Sequence, residues 1–133
     1  MSSPSRDLSH DFADHVASAR FENIPADAIA AAKKSILDTL GVTLAASGVE
    51  PRVRGIVDLV LETGGRSEST VIGFGGSVPA AQAAFANGAM AHCLDFDDRT
   101  PWGAHSSSSA VPAAFALAER KGGVSRSPAW AQR

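Results

Sequence analysis

A run of very small residues starts at Pro79: Ala80, Ala81, Ala83, Ala84, Ala86, Gly88 and Ala89. Ala favours helix, and side chains this short let two helices approach closely, so the run reads as a buried helix in a crowded helical bundle. Ser77 lies near its expected cap, and Pro79 suits a first helical position. A second Ala-rich helix is expected over residues 107 to 120, carrying Ala110, Ala113, Ala114, Ala116 and Ala118. Between the two lies an acidic stretch, Ala-His-Cys-Leu-Asp-Phe-Asp-Asp-Arg-Thr at residues 91 to 100, followed by His105. Asp95, Asp97 and Asp98 fall within four positions. Like charges this close repel, and burial penalises each of them, so they must be solvated, paired or used.

Upstream, the apolar spacing is also helical. Leu8, Phe12, Val16 and Ala19 predict a short amphipathic helix over residues 8 to 20. Pro25 marks the start of a longer helix that runs to Ser47-Gly48, with a stripe of Ile29, Lys33, Ile36, Leu40 and Leu44 widened by Leu37. A third helix starts near Pro51, turns Ile56, Val57, Val60 and Leu61 inward, and stops at Gly64-Gly65. Ser69-Thr70-Val71-Ile72 predicts one short extended segment. The glycines that follow it, Gly73, Gly75 and Gly76, fit a turn or a close approach. They lack the Lys-Ser/Thr ending and the spacing of a phosphate-binding loop. The fold class is therefore all-α with one short extended segment. Residues 121 to 133 contain no acidic residue and show no period, which predicts an irregular tail over 123–133.

Composition limits the function. With 133 residues the chain is long enough for one domain that buries roughly 65–70% of its unfolded surface. A net charge of −2 leaves no basic footprint for nucleic acid. Cys93 is the single cysteine, so no internal disulfide is possible and a reducing, cytoplasmic setting is expected. No apolar run approaches the roughly 18 residues of a membrane span, and the first ten residues hold no signal core, so no membrane partner is expected. The serines at 106 to 109 fit a helix start. No Gly-x-Ser-x-Gly elbow surrounds them, which excludes a serine nucleophile. His92, Asp95, Asp97, Asp98 and His105 have side chains that bind divalent ions, but no compact metal motif fits and EF-hand spacing is absent, so no metal is expected. His10 and His15 are expected in solvent, His92 in a structural hydrogen bond, and Asp97 and Asp98 in capping or in pairing with Arg99.

Three segments together resemble the MmgE/PrpD family: Ile36-Leu37-Asp38-Thr39-Leu40-Gly41, then residues Ala84 to Asp98, then Val111-Pro112-Ala113-Ala114-Phe115-Ala116-Leu117-Ala118-Glu119. They occur in the family's order, and the resemblance covers about residues 8 to 122. That family includes 2-methylcitrate dehydratase, cis-aconitate decarboxylase and iminodisuccinate epimerase. The resemblance implies a large helical domain of which this chain is the N-terminal part, a separate lid domain, a homodimer, and no cofactor. It implies a lyase or isomerase acting on a small polycarboxylic acid. The chain is expected to be a fragment, ended by a frameshift or premature stop and inactive alone. Asp95 matches the family's active-site aspartate and His105 its active-site histidine. Arg99 stands where many members place a threonine, with Thr100 one step later; both are expected to bind substrate. Ser106 stands where many members have proline. The competing reading is a non-catalytic helical module that self-associates.

Overall fold

The computed structural model describes residues 7–122, so the expected tail at 123–133 lies outside the described residues. The described chain forms two compact units that divide at Lys33 and Lys34. The first holds α1 (Leu8–Ser18), a 3₁₀ turn at Phe21–Asn23 and the opening of α2 (Ala26–Val49). Asp7 caps α1, its carboxylate accepting from the Ser9 N–H at 2.8 Å. The predicted stripe is present, but Leu8, Phe12 and Val16 are all exposed.

The second unit carries the rest of α2, then α3 (Val53–Thr63), a hairpin of β1 (Ser69–Thr70) and β2 (Ser77–Val78), α4 (Ala80–His92) and α5 (Ser107–Arg120). The expected all-α architecture with a minor extended piece is observed. α2 is present, but a different stripe is buried. Thr39, Val42, Thr43 and Ala46 point inward, Leu40 is half-buried, and Leu37 and Leu44 are exposed. The buried threonines cost little, because each hydroxyl donates to the carbonyl one turn back, Thr39 to Ser35 and Thr43 to Thr39, both at 2.7 Å. A rule that counts only large apolar side chains misses a face built from Thr, Val and Ala.

The core is made of small residues. Val53, Val57 and Val60 of α3 meet Val71, Val78, Ala80, Ala83, Ala86 and Met90, and Ala116 closes the cluster from α5. In α3 the inward face is Val53, Val57 and Val60, with Ile56 half-buried and Leu61 left partly in solvent. α4 and α5 pack closely. A Cβ at Gly88 would lie 3.1 Å from the Ser108 carbonyl oxygen. That carbonyl faces Pro112 four residues on, and proline has no N–H to donate to it, so an ordinary helical bond is missing where the two helices touch.

The extended segment is half of a hairpin. Ser69 pairs with Val78 and Thr70 with Ser77, antiparallel. Ser77 therefore sits in a strand, and the α4 N-terminus is capped from elsewhere: the Ala80 N–H donates to the Glu68 carboxylate at 3.1 Å. The glycine run makes the turn. Gly73, Gly75 and Gly76 all have positive φ, and a Cβ on Gly73 would collide with the Ser47 side chain of α2. Three side chains tie the hairpin down. Asn87 accepts from the Ile72 N–H and donates to the Thr70 carbonyl, both at 2.9 Å. Glu119 takes the Thr70 N–H and hydroxyl, and the buried Ser69 hydroxyl donates to the Ala116 carbonyl at 2.6 Å.

Candidate active site

The acidic stretch connects the C-terminus of α4 to the N-terminus of α5, and its three carboxylates have three different fates. α4 ends at His92, and the chain turns at once, the Asp95 N–H donating to the His92 carbonyl at 3.0 Å. Asp95 has φ 55°, the only positive φ outside glycine among the described residues. Aspartate tolerates this left-handed conformation better than most residues. The turn leaves Asp95 exposed and returns Asp97 inward, where its side chain is fully buried. Asp98 accepts from the Ser107 N–H at 3.1 Å and the Ser107 hydroxyl at 2.8 Å. It therefore caps α5 in place of Ser106, which makes no side-chain cap bond.

Asp97 is the hub. Its two oxygens lie 3.1 and 3.0 Å from His92 Nδ1, and His105 Nδ1 approaches at 3.3 Å. The two imidazoles meet edge to face, with centroids 4.9 Å apart. Burial by itself raises the Asp97 pKa. Hydrogen bonds from the Ser108 hydroxyl and the His92 ring, helped by its own backbone N–H, outweigh that penalty and hold the carboxyl below its ordinary value. It is thus an anion in the folded chain, facing two imidazole rings. His105 Nδ1 is buried yet has no hydrogen-bond partner: the 3.3 Å approach to Asp97 is an ion-pair distance without hydrogen-bond geometry.

One donor atom from each of His92, Asp95, Asp97 and His105 lies within 4.8 Å of every other. The two expected catalytic residues, Asp95 and His105, therefore converge. Arg99 and Thr100 sit on the loop that follows. Thr100 is occupied by the loop itself: its hydroxyl accepts from the Ala104 N–H, its N–H donates to Ala104, and its carbonyl accepts from Gly103. Arg99 is exposed, its guanidinium alongside Gly103. A shallow cleft of about 400 Å³ borders the cluster through His92, between α4 and α5. Its other walls include Ala84, Phe85 and Ala89, which offer a polyanion nothing to bind. Sequence reasoning gave Asp97 only a capping or pairing role. The spacing holds no signal for its central place, because that depends on the turn at Asp95.

The MmgE/PrpD N-terminal domain matches residues 10–127. The chain belongs to the MmgE/PrpD family. The match runs from the first turn of α1 past the end of α5 and includes every residue of the cluster. No curated protein matches the chain. Among the described residues, no helix is long and apolar enough to cross a membrane.

Proposed function

We propose that this chain carries the Asp95–His105 part of a cofactor-independent lyase or isomerase site that moves a proton beside a carboxylate of a small polycarboxylic acid. The observation that carries the reading is the convergence of Asp95 and His105 on one buried, ionised carboxylate, within a chain of the MmgE/PrpD family. In this reading His105 takes or returns the proton, since an imidazole ring nitrogen can accept a proton and give it back. Asp97 does not touch substrate; it orients His105 and His92 and stabilises the imidazolium that forms. Asp95 faces solvent beside them and shares the proton transfer. Arg99 holds a substrate carboxylate with its planar fork of donors, and Thr100 lines the same loop. Removing the proton puts charge on the substrate carboxylate, which needs cations to stabilise it. Three aspartates within four residues supply the opposite sign, and Arg99 is the nearest cation in the sequence.

Shortage of cations leads us to propose that the chain turns over substrate poorly alone and works as part of a larger cytoplasmic homodimeric enzyme. The test is nuclear magnetic resonance of the imidazole rings during titration with 2-methylcitrate and with cis-aconitate. Weak binding should shift the His105 resonances and leave His10 and His15 unmoved, and Arg99→Gln should reduce the binding. Shifts absent at His105 would remove the site; robust turnover by the purified chain would remove the claim that it is incomplete. A second reading, self-association through helical surfaces, is favoured by the exposure of Leu37, Phe85 and Leu117. Light scattering across a concentration series measures it, and a clean monomer throughout would count against it.

A further inference from the structure

We propose that two copies of this chain pair antiparallel through the outward face of α2, with Leu37 seated on the partner's Gly48 and Leu44 on the partner's Gly41. The inference rests on the self-association reading and gives it a surface; the lyase reading plays no part in it. α2 has two faces. Thr39, Val42, Thr43 and Ala46 are buried. On the opposite side of the helix, at the spacing of successive turns, lie Leu37, Gly41, Leu44 and Gly48, all exposed. Leu37 is 74% exposed and Leu44 54%. From Thr39 to Val49 the helix carries no charged side chain. A surface helix ordinarily turns charged and polar residues to the side away from the core. This one turns leucine and glycine outward over roughly three turns.

The glycines are an independent observation. Glycine is among the least favourable residues in a helix interior. A Cβ at Gly41 or at Gly48 would meet nothing within 4 Å among the described residues, so packing within the described chain requires neither. Gly73 and Gly88 differ, because a Cβ there would meet the Ser47 side chain or the Ser108 carbonyl. Gly41 and Gly48 leave hollows on the outward face, and the two leucines stand out beside them.

The order of the four residues selects the occupant. Along the chain it runs large, small, large, small, so a second copy running the other way meets each leucine with a glycine. A two-fold axis level with the peptide between Val42 and Thr43 makes both contacts and repeats them by symmetry. That is the self-complementarity an isologous interface needs. A parallel pair in register would set leucine on leucine and leave the hollows empty. Charge agrees with the antiparallel order. The last turn of α2 holds no basic residue, and the adjacent Glu50 and Arg52 neutralise one another at 2.7 Å. The same axis brings Lys34 to that end of the partner's helix, where the unpaired carbonyls carry about half a negative charge. A face of four positions is smaller than the roughly 800 Å² per partner of a standard interface, so the dimer should be weak, with a dissociation constant on the order of 10–100 μM.

The test is sedimentation equilibrium of the full chain from low micromolar to millimolar concentration, where a monomer–dimer equilibrium is expected. Gly41→Leu fills the hollow that receives the partner's Leu44 and should weaken pairing about tenfold or more, whereas a surface that is only sticky would associate more strongly with the added leucine. Leu44→Gly should also weaken it. The double variant Gly41→Leu, Leu44→Gly exchanges large and small on both copies and should restore pairing. Register is read by cross-linking in a Cys93→Ser background: Leu37→Cys and Gly48→Cys chains should form a disulfide with each other when mixed and oxidised, and neither with itself. Circular dichroism shows that each variant is folded. If Leu44→Gly lowers the helix content, Gly41→Leu and the cross-link decide. A monomer at every concentration, which would leave the face to a different occupant, overturns the proposal together with the self-association reading. Association that Gly41→Leu strengthens or leaves unchanged overturns the proposal alone, and so does failure of the mixed chains to cross-link.

Discussion

Replacing Asn87 with alanine should uncouple the hairpin from the core. Asn87 is buried, and its amide spans the two ends of the Thr70–Ile72 backbone, accepting from the Ile72 N–H and donating to the Thr70 carbonyl at 2.9 Å each. Alanine removes both partners and leaves a donor and an acceptor without their partner at a part-buried position. Each orphaned group costs about 1–3 kcal/mol, so the two together should cost roughly 2–6 kcal/mol. Urea denaturation measures the total, and amide hydrogen exchange locates it: the Ile72 N–H should lose protection first. Asn87→Asp sharpens the argument. Its oxygen can still accept from Ile72, but a second oxygen now faces the Thr70 carbonyl, so near neutral pH it should be at least as damaging as alanine. Part of the loss should return in acid, once the carboxyl is protonated and can donate. A loss below about 0.5 kcal/mol for Asn87→Ala, with Ile72 exchange unchanged, would refute the reasoning.

Three further outcomes are expected. Asp97 has its pKa lowered in the folded chain, so the stability it contributes is present above its unfolded value and is lost as pH falls through the folded one. Acid unfolding followed by circular dichroism should therefore show a loss below about pH 4 that is smaller in Asp97→Asn. Gly73→Ala should destabilise by about 1–3 kcal/mol or more, because φ is +81° and the new Cβ would meet the Ser47 side chain; a thermal melt equal to that of the unaltered chain would contradict this. Met90→Ala empties a fully buried position in the small-residue core and should cost about 2–5 kcal/mol in urea.

Helix α5 was legible to the residue, and α1, α3 and α4 to within a few residues, because helical spacing and the residues that start and stop helices are local signals. What failed was orientation. The stripe of Ile and Leu on α2 outranked Thr39, Val42, Thr43 and Ala46 by side-chain size, yet the smaller face is the buried one. Close packing rewards a surface that lets helices approach, and i−4 hydrogen bonds remove the cost of burying the threonines. Ser77 was expected near a helix cap and lies in β2, since a two-residue strand carries no period and exists only because Thr70 is opposite it. The α4 cap was misassigned for the same reason: Glu68 reaches its helix end through space, across a gap that local motifs do not cover, whereas capping by Asp98 was among the sequence expectations.

By itself the sequence determined the helical class, the family and the crowding of small residues around Gly88, all carried by residue type and short-range order. Only the tertiary structure decided which carboxylate is buried. Three aspartates with similar neighbours separate into one exposed, one central and one capping because a left-handed turn at Asp95 and the return of α5 set their directions. Desolvation and pairing depend on what surrounds a charge in space, and that environment is supplied by residues on the far side of the turn, at the end of α4 and the start of α5.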